Sequence, residues 1–206
     1  MKKVLSLMAV ICCISLIFCL PVGADAANEV LFEVDAYGDT VTVDITTEFN
    51  CGAIQGILSY DGSKIAYQNS SFADGLSSIN SASNSFSDSS GSTKVALVCA
   101  ANGGVNGNLA TLTYTADAGV PAEFDFGAMK VFGATGNKLS NVKSVVVMYG
   151  DTDNNGVLNI LDLIRLKKTI AGYTAVIEGK ERNYDLDKNG LRNAYDLSGL
   201  VTKLLR

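Results

Sequence analysis

The chain has 206 residues, with 16 Lys and Arg against 21 Asp and Glu and a formal net charge of −5. It contains no His, which excludes His-based catalytic triads and His-ligated metals. It has no basic stripe, so nucleic acid is not an expected partner.

At the amino end, Lys2 and Lys3 precede an apolar run over residues 4–20, then Pro21, Gly23 and the small-residue pattern Ala24-Asp25-Ala26. This predicts a secretory signal peptide over residues 1–26, with cleavage after Ala26. The expected product is extracellular, and no later segment is apolar enough to span a membrane. Cleavage would remove Cys12, Cys13 and Cys19, leaving Cys51 and Cys99 in strand-like contexts. Secretion permits a disulfide between them, and two buried thiols are the other reading.

Residues 27–149 read as β structure. Short apolar or alternating runs occur at 30–34, 40–45, 54–60, 64–67, 94–99, 109–114, 123–126, 129–132 and 144–148. Turn signals separate them, including Asp61-Gly62, Asn102-Gly103-Gly104 and Asn106-Gly107. Eight or nine short strands with such turns predict an antiparallel sandwich. The Ser-rich stretch 77–92 is expected to be a long polar loop or a frayed edge. Alternation puts Ala53, Gln55, Ile57 and Ser59 on one side of their strand, the expected exposed side, and Ile54, Leu58 and Tyr60 on the other.

Two segments in this region carry a resemblance. Gly56-Ile57-Leu58-Ser59-Tyr60-Asp61-Gly62-Ser63-Lys64-Ile65 is similar to a strand-and-turn segment of the cohesin family, with Gly62 where that family has proline. Val95-Ala96-Leu97-Val98-Cys99-Ala100-Ala101, a Gly-rich turn, and then Gly107-Asn108-Leu109-Ala110-Thr111-Leu112-Thr113-Tyr114 resemble a cohesin strand pair. The resemblance implies a jelly-roll sandwich, related to carbohydrate-binding modules, whose binding face is one sheet.

The C-terminal quarter holds one loop written twice. The first copy is Asp151-Thr152-Asp153-Asn154-Asn155-Gly156-Val157-Leu158-Asn159-Ile160-Leu161-Asp162, and the second begins at Asp185, 34 residues later, and ends at Asp196. Both read D-x-D-x-N-G-x-x-N-x-x-D. Calcium wants six to eight oxygens, and a loop with donors at positions 1, 3, 5, 7, 9 and 12 supplies them. The predicted ligands of two Ca2+ sites are therefore Asp151, Asp153, Asn155, the Val157 carbonyl, Asn159 and Asp162, and Asp185, Asp187, Asn189, the Leu191 carbonyl, Asn193 and Asp196. Gly156 and Gly190 stand at position 6, where the chain must turn sharply. Position 12 is Asp rather than the Glu usual in EF-hands, so the following helix must start close to the ion.

Each loop leads into an amphipathic helix. Leu163, Leu166 and Ile170 form the first apolar stripe, with Asn159 as cap, Gly172 as stop, and Lys167 and Lys168 at the dipole's negative end. Leu197, Leu200, Val201, Leu204 and Leu205 form the second, capped by Asn193. No helix is evident just before Asp151, because residues 145–149 read as a strand, so each unit reads as a loop plus one exiting helix.

Two loop–helix repeats without entering helices, with Asp at position 12, resemble a type I dockerin domain over residues 150–206. The resemblance implies a calcium-dependent fold that binds a cohesin domain of a scaffold protein in cellulosome-type complexes. It implies partner contacts at Ile160 and Leu161, and at Ala194 and Tyr195. Further contacts follow along the helices, at Lys167 and Lys168 in the first and Val201 and Thr202 in the second. The mismatch between Ile-Leu and Ala-Tyr implies that one face dominates. Burial of Ile160 and Leu161 against the partner helix is the competing reading.

The expected whole is a β sandwich plus a small α domain, acting as a secreted, non-catalytic adaptor. Its sandwich would present a socket for a dockerin-bearing protein. The alternative is a carbohydrate-binding module for plant polysaccharide, tethered by the dockerin. Tyr37, Tyr67 and Phe72 are then the candidate stacking rings, as the chain has no Trp. No catalytic residue is expected, since no local motif selects a pair among Glu33, Asp35, Asp44, Glu48, Asp61 and Glu123. The absence of a linker at Tyr149-Gly150 predicts that the two domains pack together.

Overall fold

Apolar residues at every second position give β1 (Asn28–Tyr37) one inward face, on which Val30, Phe32 and Val34 are buried. The computed structural model describes residues 28–72, 85–89, 91–98, 103–117, 119–127 and 129–206. The predicted signal segment and Cys99 lie outside the described residues, as does most of the Ser-rich stretch.

After β1 come β2 (Thr40–Tyr60), β3 (Ile65–Phe72), β4 (Ser85–Ser89), β5 (Ser92–Val98), β6 (Val105–Ala116), β7 (Phe124–Phe126), β8 (Lys130–Gly133) and β9 (Val142–Met148). The back layer runs β3-β6-β2-β1-β9. The front layer joins β4 to β5, β5 to the second half of β2, and that half to β7 and β8. One strand thus serves both layers. The pairing of β2 with β6 shifts register between Thr47 and Cys51, where β2 passes from the back layer to the front.

The layers meet through alternating residues of both. Val43 and Ile45 of the back and Ile54 and Leu58 of the front are at most 1% exposed. Phe32 stacks on Phe126 at 4.1 Å between ring centres, and the buried Tyr114 hydroxyl donates to Thr93 Oγ1 at 3.0 Å. The predicted sandwich is therefore present, with two corrections. The runs 40–45 and 54–60 are one 21-residue strand, which continues through the register shifts at Ile45/Thr46 and Thr47/Cys51 as it changes layer. β1 and β9 pair in parallel, at the edge of an otherwise antiparallel layer. Within the Ser-rich stretch, residues 85–89 form an edge strand paired with β5, in keeping with the edge expected there.

The predicted turn after Tyr60 forms without proline. Asp61 accepts from the backbone N–H and the hydroxyl of Ser63 and pairs with Lys64 at 2.9 Å. The Ser63 hydroxyl and Lys64 hold its carboxyl down to about 2. Cys51 is buried, its Sγ 3.8 Å from the Phe132 carbonyl.

The chain passes from β9 through Gly150, at φ +104°, into a small α unit. This contains α1 (Ile160–Ile170), a 3-10 turn (Glu181–Tyr184) and α2 (Ala194–Leu204). Leu166, Tyr184 and Leu200 are its fully buried centre, with Leu158, Leu163, Val176, Leu186, Leu197 and Leu204 packed around them. Ile170, Val201 and Leu205 do not join this core and are exposed, because two short helices around one Tyr close over only their inward positions. No described helix is long and apolar enough to cross a membrane.

Candidate metal centres and docking surface

The two loops fold alike. Asp151 accepts at Oδ1 from the Asn155 N–H (3.0 Å) and at Oδ2 from the Gly156 N–H (3.0 Å). Asp185 repeats this with the Asn189 N–H (3.1 Å) and the Gly190 N–H (2.8 Å). Gly156 and Gly190 both have positive φ, as a sharp turn at position 6 demands. Position 4 shares that backbone region, at Asn154 (φ +58°) and Lys188 (φ +59°), and this was not apparent from the spacing.

Asp at position 12 reaches the loop because the helix begins inside it. Asp162 is the third residue of α1, and its Oδ2 accepts from the Asn159 N–H while its Oδ1 accepts from the Thr152 N–H. Asp196 does the same with the N–H groups of Asn193 and Leu186. Asn159 and Asn193 complete reciprocal capping boxes, their Oδ1 atoms accepting from the N–H groups of Leu161 (2.7 Å) and Tyr195 (2.8 Å). The predicted position-9 oxygens are thus engaged as helix caps. The Val157 carbonyl accepts from the Asn159 side chain at 3.2 Å. At position 5, Asn155 and Asn189 donate to the Asp153 and Asp187 carboxylates.

What remains at each centre is a set of carboxylates. Oxygens of Asp151, Asp153 and Asp162 lie within 4.8 Å of one another, as do those of Asp185, Asp187 and Asp196. Burial pushes the Asp151 and Asp162 carboxyls above the usual range. Repulsion from neighbouring carboxylates adds to this, while backbone N–H groups oppose it. Three negative groups gathered at one loop, without nitrogen or sulfur donors, fit a hard divalent cation such as calcium. The first centre is the more deeply set: Asp151 and Asp162 are both buried, whereas Asp187 of the second is exposed.

Asn183 and Tyr184, which the sequence reading passed over, tie the two repeats together. Asn183 donates to the Asp151 carbonyl (2.8 Å), and its own carbonyl accepts from the Gly150 N–H (2.8 Å). The buried Tyr184 hydroxyl donates to the Thr152 carbonyl (2.6 Å) and accepts from Arg165 Nε (3.1 Å). These residues precede the second loop but hold the first. Their only sequence signal is a Tyr directly before Asp185, where the first repeat has Gly150.

The predicted contact residues are exposed. Ile160 and Leu161 are 59% and 58% exposed, which decides against their burial under the other helix. With Ile164 they form an apolar patch that continues into Lys167 and Lys168. The equivalent face of α2 carries Ala194, Tyr195, Ser198, Val201 and Thr202, all exposed. The two faces therefore match in backbone position and differ at every side chain. The α1 helix ends as predicted, with Gly172 at φ +78° and the Tyr173 N–H donating back to the Lys168 carbonyl.

The proposed sugar-stacking rings do not form a platform. Tyr67 and Phe72 pack against the sandwich core, and Tyr37 donates its hydroxyl to the Arg206 carbonyl. On the front layer, Gln55, Ile57 and Ser59 are exposed and Ala53 partly so, while Ile54 and Leu58 are buried.

Among solved structures, the chain is similar to the sixth cohesin of scaffoldin B from Acetivibrio cellulolyticus in complex with a Cel5 dockerin. That match is 18% identical, covers 59% of this chain and 98% of that one, and has a TM-score of 0.45. It is also similar to CaCohA2 from Clostridium acetobutylicum (16% identity, 62% and 94% coverage, TM-score 0.47). A third similar structure is the non-cellulosomal cohesin of the archaeon Archaeoglobus fulgidus (12% identity, 62% and 93% coverage, TM-score 0.45). No curated protein matches the chain. The α unit, with both acidic centres and the exposed faces of α1 and α2, falls in residues 149–205, and these match the Dockerin type I domain family.

Proposed function

We propose that the chain is a secreted, non-catalytic adaptor of cellulosome-type assemblies. Residues 150–206 form a calcium-dependent plug for a cohesin domain on a scaffold protein. Residues 27–149 form a cohesin-like socket for a dockerin-bearing protein. Each loop holds one Ca2+, with Asp151, Asp153, Asn155, Val157, Asn159 and Asp162 around the first, and Asp185, Asp187, Asn189, Leu191, Asn193 and Asp196 around the second. The Asn159 and Asn193 side chains contribute by capping the exit helices. When bound, the cation neutralises the gathered carboxylates and its role is structural.

The observation that carries this reading is the exposed apolar patch at the start of α1, held outward by a helix that begins inside an acidic loop. Exposed aliphatic residues grouped on one rigid face, followed by cations, are the makings of a protein interface. Ile160, Leu161, Lys167 and Lys168 lead this contact, and Ala194 and Tyr195 are the weaker counterpart. On the sandwich, Ile57 marks the open front layer as the socket, since the back layer is covered at β1 and β9 by the α unit.

A pull-down against panels of cohesins and dockerins, with and without chelator, tests the proposal. At least one cohesin should be captured, with capture lost in chelator. Ile57→Asp should abolish capture of dockerins by the sandwich and leave cohesin capture intact. Undiminished cohesin capture in excess chelator would sink the reading.

A further inference from the structure

We propose that the α unit is locked in cis onto the outer face of the back layer by a charge register along β1, so that plug and socket move as one rigid body. The acids that alternate with the buried residues of β1 each meet a cation of the α unit. Glu29 pairs with Arg182 at 2.5 Å, Glu33 with Lys188 at 2.8 Å and Asp35 with Lys203 at 3.0 Å. The three cations come from the 3-10 turn, the second loop and α2, yet they line up in order along one strand over roughly 20 Å. An isolated exposed pair adds little. Three in register, on a strand whose other face is fixed in the core, set one orientation.

The contact is also apolar and backbone-bonded. Leu31 and Val147 belong to neither hydrophobic core but are only 5% and 1% exposed, on the outer face where the α unit sits. Leu31 lines a cleft there with Glu33, Tyr149, Arg182 and Lys188. Tyr149 donates its hydroxyl to Glu33 at 3.1 Å and lies under the Lys188 ammonium, 4.7 Å from the ring centre. On the other side, the Ala122 N–H donates to the Gly156 carbonyl of the first loop at 2.8 Å. Leu158, at position 8 of that loop, packs against both cores.

This contact uses neither the exposed patch of α1 nor the front layer. Both docking faces are left open at a set angle, and Glu29 and Glu33 of the acidic stripe are largely covered, their side chains 25% and 15% exposed. The lock does not depend on either partner being found, so it stands or falls separately from the proposed function.

The test is backbone 15N relaxation on the full mature chain with calcium, alone and in charge-swapped variants. One rotational correlation time is expected for residues 28–149 and 150–206. E29K/D35K and R182E/K203E should each shorten the correlation time of the α unit relative to the sandwich, and the fourfold combination should restore a single value. The R182E/K203E arm leaves the sandwich untouched, so a β1 variant that fails to fold does not end the test. Separate tumbling of the two units in the unaltered chain would overturn the proposal. So would a single correlation time in either charge-reversed variant.

Discussion

Chelating calcium from the full chain should melt residues 150–206 and leave the sandwich folded. The α unit has only Leu166, Tyr184 and Leu200 as fully buried centres, too little apolar burial to order a unit of this size unaided. Against that stands the cost of gathering Asp151, Asp153 and Asp162 within 4.8 Å of one another, and Asp185, Asp187 and Asp196 likewise. A cation at 1,000 times its Kd contributes about 4 kcal/mol per site. That is of the order of the whole stability of such a unit, so metal binding and folding should be one event. Circular dichroism should show the helical signal lost on chelation and recovered on adding calcium, with the β signal constant. Asp162→Ala should act as strongly as chelation, since Asp162 also closes the capping box and accepts from the Thr152 N–H. Its removal leaves a buried donor unsatisfied as well as a cation site incomplete.

The second large effect is expected at the start of α1. Ile160→Asp or Leu161→Asp should each weaken cohesin binding by about 2–4 kcal/mol, roughly 30- to 700-fold. The change puts a charge into the centre of the proposed contact. Neither residue packs in the module core, so the helical signal should stay unchanged. Tyr195→Ala should cost less than a tenth as much in affinity ratio. The α2 face lacks the aliphatic cluster, with Ser198 in the place of Ile164 and Thr202 in the place of Lys168. Isothermal titration of each variant against one cohesin checks this. Equal losses at both faces would mean that the helices bind interchangeably.

Much of this was legible in the residues. The doubled loop needed no structure, because oxygen donors at fixed offsets with Gly at position 6 are a local demand. The caps Asn159 and Asn193 and the stop at Gly172 were legible for the same reason. Alternation gave the strands and the exposed side of β2. What could not be read was long-range. That β1 pairs in parallel with β9 depends on where residue 142 returns after the whole sandwich. That Asn183 and Tyr184 brace the first loop depends on the two repeats packing together. The cations that meet Glu29, Glu33 and Asp35 are scattered over residues 182–203, and only the fold puts them in order. Ile170, Val201 and Leu205 fell on an apolar stripe but outside the core, since periodicity marks a face without saying how much of it a partner covers.

The most direct test of the plug-and-socket account is sedimentation of the mature chain mixed with a cohesin and a dockerin identified in the pull-down. In calcium, a single 1:1:1 complex is predicted, because the two docking faces are both open and do not overlap. With Asp162→Ala in calcium, the cohesin alone should drop out, leaving a 1:1 complex of the sandwich with the dockerin, whereas chelator should release both partners, because the partner dockerin depends on calcium too. Mutual exclusion of cohesin and dockerin in calcium, or a complex indifferent to chelator, would contradict the account.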